Sequence, residues 1–221
     1  MNKLRCVDVS HVIESGMITY RGFPAPLICD YLSREDSRAR YEEGTEFQIG
    51  RIEMVANTGT YIDSPFHRYA HGLDIAQLPL ERLVNLECIV IRIERSQQSI
   101  GAEAITEVDV AGKAVLIHTG WDSNWRTDQY FEGHPHLTEE CAIALRDSGA
   151  LLVGIDSLNI DSTKTGARPV HTTLLGADIP IVEHLCNLRD VPTTGASFNA
   201  APVAVSRMGS FPVRAYAVIG S

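Results

Sequence analysis

Apolar and polar side chains alternate most clearly over residues 47–55, and that period of two predicts a half-buried β-strand. Residues 6–12, 88–93 and 114–118 also read as strands; the third, Ala-Val-Leu-Ile-His, is apolar. The strongest helix covers 137–148. Thr138 fits an N-cap, Glu139 and Glu140 fall in its first turn, and Gly149 closes it. Leu137, Cys141, Ala144 and Leu145 recur at helical spacing and give it one apolar stripe. Residues 151–155 predict a buried strand ending at Asp156, 171–175 the start of a second helix, and 100–108 a short one. The tail predicts two more strands, 201–206 and 213–219, with Glu183 in an apolar stretch (179–185) before them. Residues 30–46 are charged and predict a solvated hairpin or loop, and residues 16–26 a loop carrying Tyr20 and Phe23. Strands outnumber helices and a helix bridges two of them, which predicts an α/β fold with a mixed sheet. No internal repeat or linker divides residues 1–221, so one domain is expected.

Charge narrows the partners. The 221 residues carry 19 Lys and Arg against 28 Asp and Glu, a net charge of −9. That argues against a nucleic-acid surface or an anionic membrane surface and says nothing specific about substrate. No apolar run approaches a membrane span, and no apolar stretch of signal-peptide length follows Met1. Cys6, Cys29, Cys88, Cys141 and Cys186 are scattered and odd in number, without a Cys-x-x-Cys pair. Reduced, mostly buried thiols in a cytoplasmic protein are expected.

The chemistry concentrates in residues 57–67, Asn-Thr-Gly-Thr-Tyr-Ile-Asp-Ser-Pro-Phe-His. So many polar atoms are expensive in a core strand, because each needs a partner once buried. The run therefore predicts a stiff loop at a strand end, with Gly59 and Pro65 shaping the backbone and Asp63 and His67 presented from it. Taken singly, Asp63 suits an Asx-turn as well as a ligand, and His67 or His171 suits an ordinary satisfied histidine. Glu183 is more demanding. Flanked by Val182 and His184 in an apolar stretch, it needs a cation, either an arginine or a metal ion. Tyr20, Phe23 and Trp121 sit in polar turns and suit pocket walls or plain core positions equally.

Residues 57–67 resemble the signature of the metal-dependent cyclase and kynurenine formamidase family, His-x-Gly-Thr-His-x-Asp-x-Pro-x-His. Gly59, Thr60, Asp63, Pro65 and His67 match it in register, while Asn57 and Tyr61 stand at its first two histidines. The resemblance extends through Asp8-Val9-Ser10, Thr119-Gly120-Trp121, Gly154-Ile155-Asp156-Ser157 and Asp161. It continues through the spacing of twelve between His171 and Glu183, and through the segment from Gly209 to Arg214. It implies the swivelling β/β/α fold and a homodimer or higher homo-oligomer. It also implies hydrolysis of an amide, formamide, cyclic amide or ester bond in a small cyclic or aromatic molecule. By the same resemblance Asp63, His171 and Glu183 hold a divalent ion, and His67 transfers the proton. Asn57 and Tyr61 are poor ligands, so at most one weakly held ion, zinc or manganese, is expected in place of two. Tyr61 could instead donate a hydrogen bond to a developing oxyanion, with Tyr20, Phe23, Asn57 and Trp121 contacting substrate. The changed positions 57 and 61 also admit a member of the family that binds a small molecule, or serves a structural role, without hydrolysis.

Overall fold

The computed structural model describes residues 4–220. In chain order the strands are β1 (Arg5–Asp8), β2 (Leu27–Leu32), β3 (Ile49–Glu53), β4 (Tyr61–Asp63), β5 (Leu86–Arg92) and β6 (Ser99–Ile100). They continue as β7 (Ala114–His118), β8 (His136–Leu137), β9 (Leu152–Ile155), β10 (Ile181–Glu183), β11 (Ala196–Asn199), β12 (Ser210–Pro212) and β13 (Tyr216–Ile219). The α-helices are α1 (Arg34–Ser37), α2 (Glu139–Asp147) and α3 (Pro169–Leu175).

Nine strands form one mixed sheet in the order β1-β13-β11-β5-β7-β9-β10-β4-β12. Its centre, β5-β7-β9-β10, is parallel, and antiparallel strands complete it on both sides. Parallel strands need cover on both faces, and the side chains of β5 and β7 supply it by alternation. Ile89, Ile91, Val115 and Ile117 pack with α2 and α3 on one side, through Cys141, Leu145, Val170 and Leu174. Cys88, Val90 and Leu116 pack on the other side with Ile62, Val182, Leu185 and Phe198. The helix α2 forms as its sequence predicts, with the Thr138 hydroxyl accepting from the Cys141 amide.

Three expectations are corrected. Residues 47–55 do not form a half-buried strand: β3 pairs with β2 in a separate two-stranded ribbon and is exposed on both faces. Leu27, Ile28, Tyr31, Ile49 and Ile52 all face solvent there. Residues 201–206 are not a strand. The β11 ladder ends at Asn199, and Pro202 has no amide to continue it; β12 begins only at Ser210. Residues 57–67 are not simply a loop, because β4 is a buried strand between β10 and β12, followed by a 3-10 turn (Pro65–His67). Its polar side chains enter the interior because partners wait on both neighbouring strands.

Candidate active site

Three adjoining strand ends and one helix start bring the candidate residues together. β4 carries Tyr61 and Asp63, β10 carries Glu183 opposite Tyr61, and β12 carries Ser210 opposite Asp63. The helix α3 presents His171, and the 3-10 turn after Pro65 presents His67. Two glycines make this possible. Gly59 takes φ +66° and donates its amide to Thr19 Oγ1 at 2.9 Å. A Cβ on Gly209 would lie 2.5 Å from His67 Cα, so only glycine lets that backbone pass beneath the histidine.

Asp161 fixes His171. Its carboxylate accepts the amides of Val170 (2.8 Å) and His171 (3.0 Å), capping α3, and lies 2.6 Å from His171 Nδ1. With Nδ1 committed, Nε2 turns towards Asp63 Oδ2 at 3.6 Å and Glu183 Oε1 at 3.7 Å. Burial alone would lower the imidazole's pKa. Hydrogen bonding to Asp161 and Asp63, with the charge of Glu183, outweighs it and holds His171 at about 10. Burial raises the carboxyl of Glu183 above the ordinary range, opposed by the charge of His171.

Asp63 and Glu183 are both fully buried, yet they are satisfied differently. Glu183 Oε2 accepts from Tyr61 and Oε1 from the Ile160 amide at 2.7 Å. Asp63 Oδ1 accepts from Ser210, but Oδ2 has no hydrogen-bond partner. A buried, unpartnered carboxylate oxygen facing the free nitrogen of an oriented histidine requires a positive charge between them. Either a proton on His171 or a bound cation meets that requirement. The Asp161–His171 pair has the form of the outer carboxylate that orients a metal-ligating imidazole. Asp63, His67 and His171 each offer a ligand atom within 4.8 Å of the others, so the donor set fits one ion.

Positions 57 and 61 are occupied with other work. The Asn57 amide donates to Ser210 Oγ at 3.3 Å, and the Tyr61 hydroxyl donates to Glu183. Burial, then the charge of Glu183, raises the Tyr61 phenol well above its usual value and keeps it protonated. Both residues spend a donor on a neighbour, and neither offers the imidazole nitrogen that the family signature has at these positions. Ser210 also sets the form of His67. Its single hydroxyl proton goes to Asp63, so at 2.9 Å His67 Nδ1 acts as donor to Ser210 Oγ. That leaves Nε2 as the acceptor nitrogen of a half-exposed ring.

A cavity of about 300 Å³ opens above this group, lined by Tyr20, Phe23, Asn57, Tyr61, His67, Asn159, His171 and Glu183, with Arg68 and Arg168. Tyr20 is pinned by donation to the Leu158 carbonyl at 2.6 Å, and its ring meets Phe23 at 5.6 Å and His184 edge-on at 5.3 Å. Trp121 does not line this cavity. It begins a 3-10 turn (Trp121–Asn124), and its indole donates to the Tyr130 carbonyl at 3.0 Å. The preceding turn is tied down by Asp156, which accepts from the Thr119 amide and hydroxyl and from the Gly120 amide. Sequence reasoning gave no role to Ser210, Asn159, Arg68 or Arg168. Ser210 lay in the recognised segment from Gly209 to Arg214, but only the fold pairs it with Asp63, and Asn159 carries no local signal. Asp161 lay in a recognised segment, but its part in orienting His171 needed the structure.

The family model described as "Putative cyclase" matches residues 7–162. The chain belongs to the cyclase family. Kynurenine formamidase of Bacillus thuringiensis subsp. konkukian is 27% identical over 210 residues, 95% of each chain. A solved structure of a potential metal-dependent hydrolase with cyclase activity superposes with TM-score 0.80 at 27% identity, over 98% of both chains. Isatin hydrolase A from Labrenzia aggregata shares the fold with TM-score 0.83 at 20% identity, over 99% of this chain and 94% of that one. The nine-stranded mixed sheet of this chain is thus the fold of cyclase-family structures, and the family's hydrolases support a metal cofactor at the Asp63, His67 and His171 group.

Proposed function

We propose that this protein is a metal-dependent hydrolase of an amide, formamide, cyclic amide or ester bond in a small aromatic substrate. One observation carries the reading. The buried Asp63 Oδ2 has no hydrogen-bond partner and lies 3.6 Å from His171 Nε2, beneath a cavity walled by Tyr20 and Phe23. Its relatives named kynurenine formamidase and isatin hydrolase lend the reaction class. Asp63 and His171 would hold one divalent ion, zinc or manganese, with Glu183 as the third ligand the resemblance implies; the donor atoms that lie within 4.8 Å of one another are those of Asp63, His171 and His67, so His67 stands beside the ion. Such an ion supplies Lewis acidity and a water of lowered pKa when bound. The chain's own residues do the rest. Tyr20 and Phe23 hold a flat ring, and Asn57 fixes Ser210. Ser210 holds the His67 tautomer whose Nε2 can take a proton and return it to the leaving group. Tyr61 gives its one hydroxyl proton to Glu183, which leaves none for the oxyanion contact expected of it.

The test is hydrolysis of aryl formamides and cyclic aryl amides by protein dialysed against chelator and then titrated with zinc or manganese. Activity saturating at one ion per chain is the expected result. Two tightly held ions would refute the reading of Asn57 and Tyr61, and Asn57→His with Tyr61→His should raise the stoichiometry towards two. A second reading, small-molecule binding without hydrolysis, is favoured by the engagement of both changed positions in hydrogen bonds. Ligand binding without turnover at any metal concentration would select it.

The exposed apolar side chains of the β2–β3 ribbon support a homo-oligomer of this one-domain chain, checked by light scattering. Five free thiols support a reducing, cytoplasmic compartment. Among the described residues no helix is long and apolar enough to cross a membrane.

A further inference from the structure

Asn159 lines the cavity yet has no donor left to offer a ligand. It is 8% exposed, and its Oδ1 accepts the Asp161 amide at 2.9 Å. A backbone N–H can only donate, so that bond fixes which way the side-chain amide faces. Nδ2 then donates to the Tyr20 hydroxyl at 2.9 Å and to Glu183 Oε2 at 3.4 Å. Both of its N–H groups are spent. The flanking backbone holds the same two partners. The Leu158 carbonyl takes the Tyr20 proton at 2.6 Å, and the Ile160 amide reaches Glu183 Oε1 at 2.7 Å. Asp161, two residues on from Asn159, orients His171.

An asparagine that only shaped the turn would need its oxygen alone, because the Asx-turn to Asp161 uses Oδ1. The two N–H groups serve the cavity wall. Tyr20 lies in residues 9–26, which form no helix or strand. Thr19 Oγ1 anchors the backbone beside it by accepting the Gly59 amide, and the ring packs edge-on against His184. The hydroxyl is the part of Tyr20 that is tied to the site floor. It gives its one proton to Leu158, so its acceptor side needs a donor from elsewhere. The Tyr61 hydroxyl, 3.2 Å away, has given its own proton to Glu183 and does not supply one. Asn159 does, and the two bonds together fix the phenol in one direction.

We infer that Asn159 is a positioning residue, which fixes the aromatic wall at Tyr20 relative to Glu183 and His171 and so sets where the ring of a ligand lies against the reacting centre. What reacts there rests on the hydrolase reading; where the ring is held does not. Asparagine suits the position because it joins an acceptor for a backbone amide to two donors on one short, planar group. Aspartate keeps the acceptor and loses both donors. Serine also closes such a turn through its hydroxyl, on a side chain that ends one atom earlier.

The experiment uses metal-loaded protein and the variants Asn159→Asp, Asn159→Ser, Tyr20→Phe and Asn159→Ser with Tyr20→Phe. Binding of benzamide is measured by calorimetry, hydrolysis of formanilide by initial rates, and metal affinity by chelator competition. Both Asn159 variants keep the turn acceptor and should melt near the temperature of the unaltered protein. Each should weaken benzamide binding and raise the KM for formanilide about three- to tenfold, the worth of a neutral hydrogen bond, with kcat changed less. Serine is neutral, so a loss common to both comes from the missing N–H groups and not from an added charge. Tyr20→Phe should weaken binding as well, and the double variant should lose little more than either single one, because both break the same bond. Unchanged binding in both Asn159 variants overturns the inference, as do additive losses in the double variant. A fall in metal affinity alone also overturns it, since Asn159 would then serve Glu183 without the wall. Should one Asn159 variant not fold, the other carries the comparison with Tyr20→Phe. Weakened benzamide binding with no hydrolysis by any form supports the inference and sinks the hydrolase reading. Hydrolysis with KM unmoved does the reverse, and no benzamide binding by the unaltered protein counts against the inference.

Discussion

Two stretches only a few residues apart invert the usual rule of burial. Residues 27–53 include the ribbon β2–β3, which turns Leu27, Ile28, Tyr31, Ile49 and Ile52 into solvent. Residues 57–67 carry Thr58, Thr60, Tyr61, Asp63 and Ser64 into the interior at 1% exposure or less. The difference lies in the neighbours. The ribbon pairs only with itself, so neither face has a layer to pack on. β4 enters a sheet whose adjacent strands carry Glu183 and Ser210, each placed to receive or give a hydrogen bond. Apolar character alone does not bury a strand, and polar character does not expose one when its partners are already positioned.

The largest effect expected from breaking this contrast is functional. His67→Ala should lower turnover about 10²–10⁴-fold while leaving the melting temperature near that of the unaltered protein. Normal rates on a verified substrate would remove His67 from the chemistry. Ile62→Ala, at the fully buried centre of β4, should cost roughly 2–5 kcal/mol in denaturant unfolding. A small loss would show that β4 is less integral to the core than its burial suggests. Tyr61→Phe leaves Glu183 Oε2 with only weaker partners at 3.4 Å and should cost about 1–3 kcal/mol. It should also alter metal affinity, which chelator competition would measure; unchanged affinity would separate Tyr61 from the ion site. Ile52→Ser on the ribbon should change monomer stability by no more than about 0.5 kcal/mol. A concentration-dependent loss larger than that would place the ribbon inside an assembly and sharpen the comparison.

The helix α2 was legible because capping and spacing are local: Thr138, the first-turn glutamates and the Cys141–Leu145 stripe all act within a dozen residues. The strand β7 was legible for the same reason. The exposure of β3 was not, since period-two alternation states which side chains share a face and not whether anything covers it. The end of β11 at Asn199 likewise depended on its pairing with Tyr216. Asp63, His67, His171 and Glu183 were identified through family resemblance, whereas composition and spacing left each with an ordinary alternative.

The sequence by itself determined the chemical inventory: the residues at 57 and 61, the single pair of His171 and Glu183 twelve positions apart, and an acidic net charge of −9. Tertiary structure alone decided what each group is free to do. It gave Asn57 to Ser210 and Tyr61 to Glu183, oriented His171 through Asp161, and left Asp63 Oδ2 without a partner. The physical reason is that hydrogen bonding saturates. Whether a side chain is available to an ion or a substrate depends on what its neighbours have already taken, and those neighbours lie as far as 153 residues away in the chain.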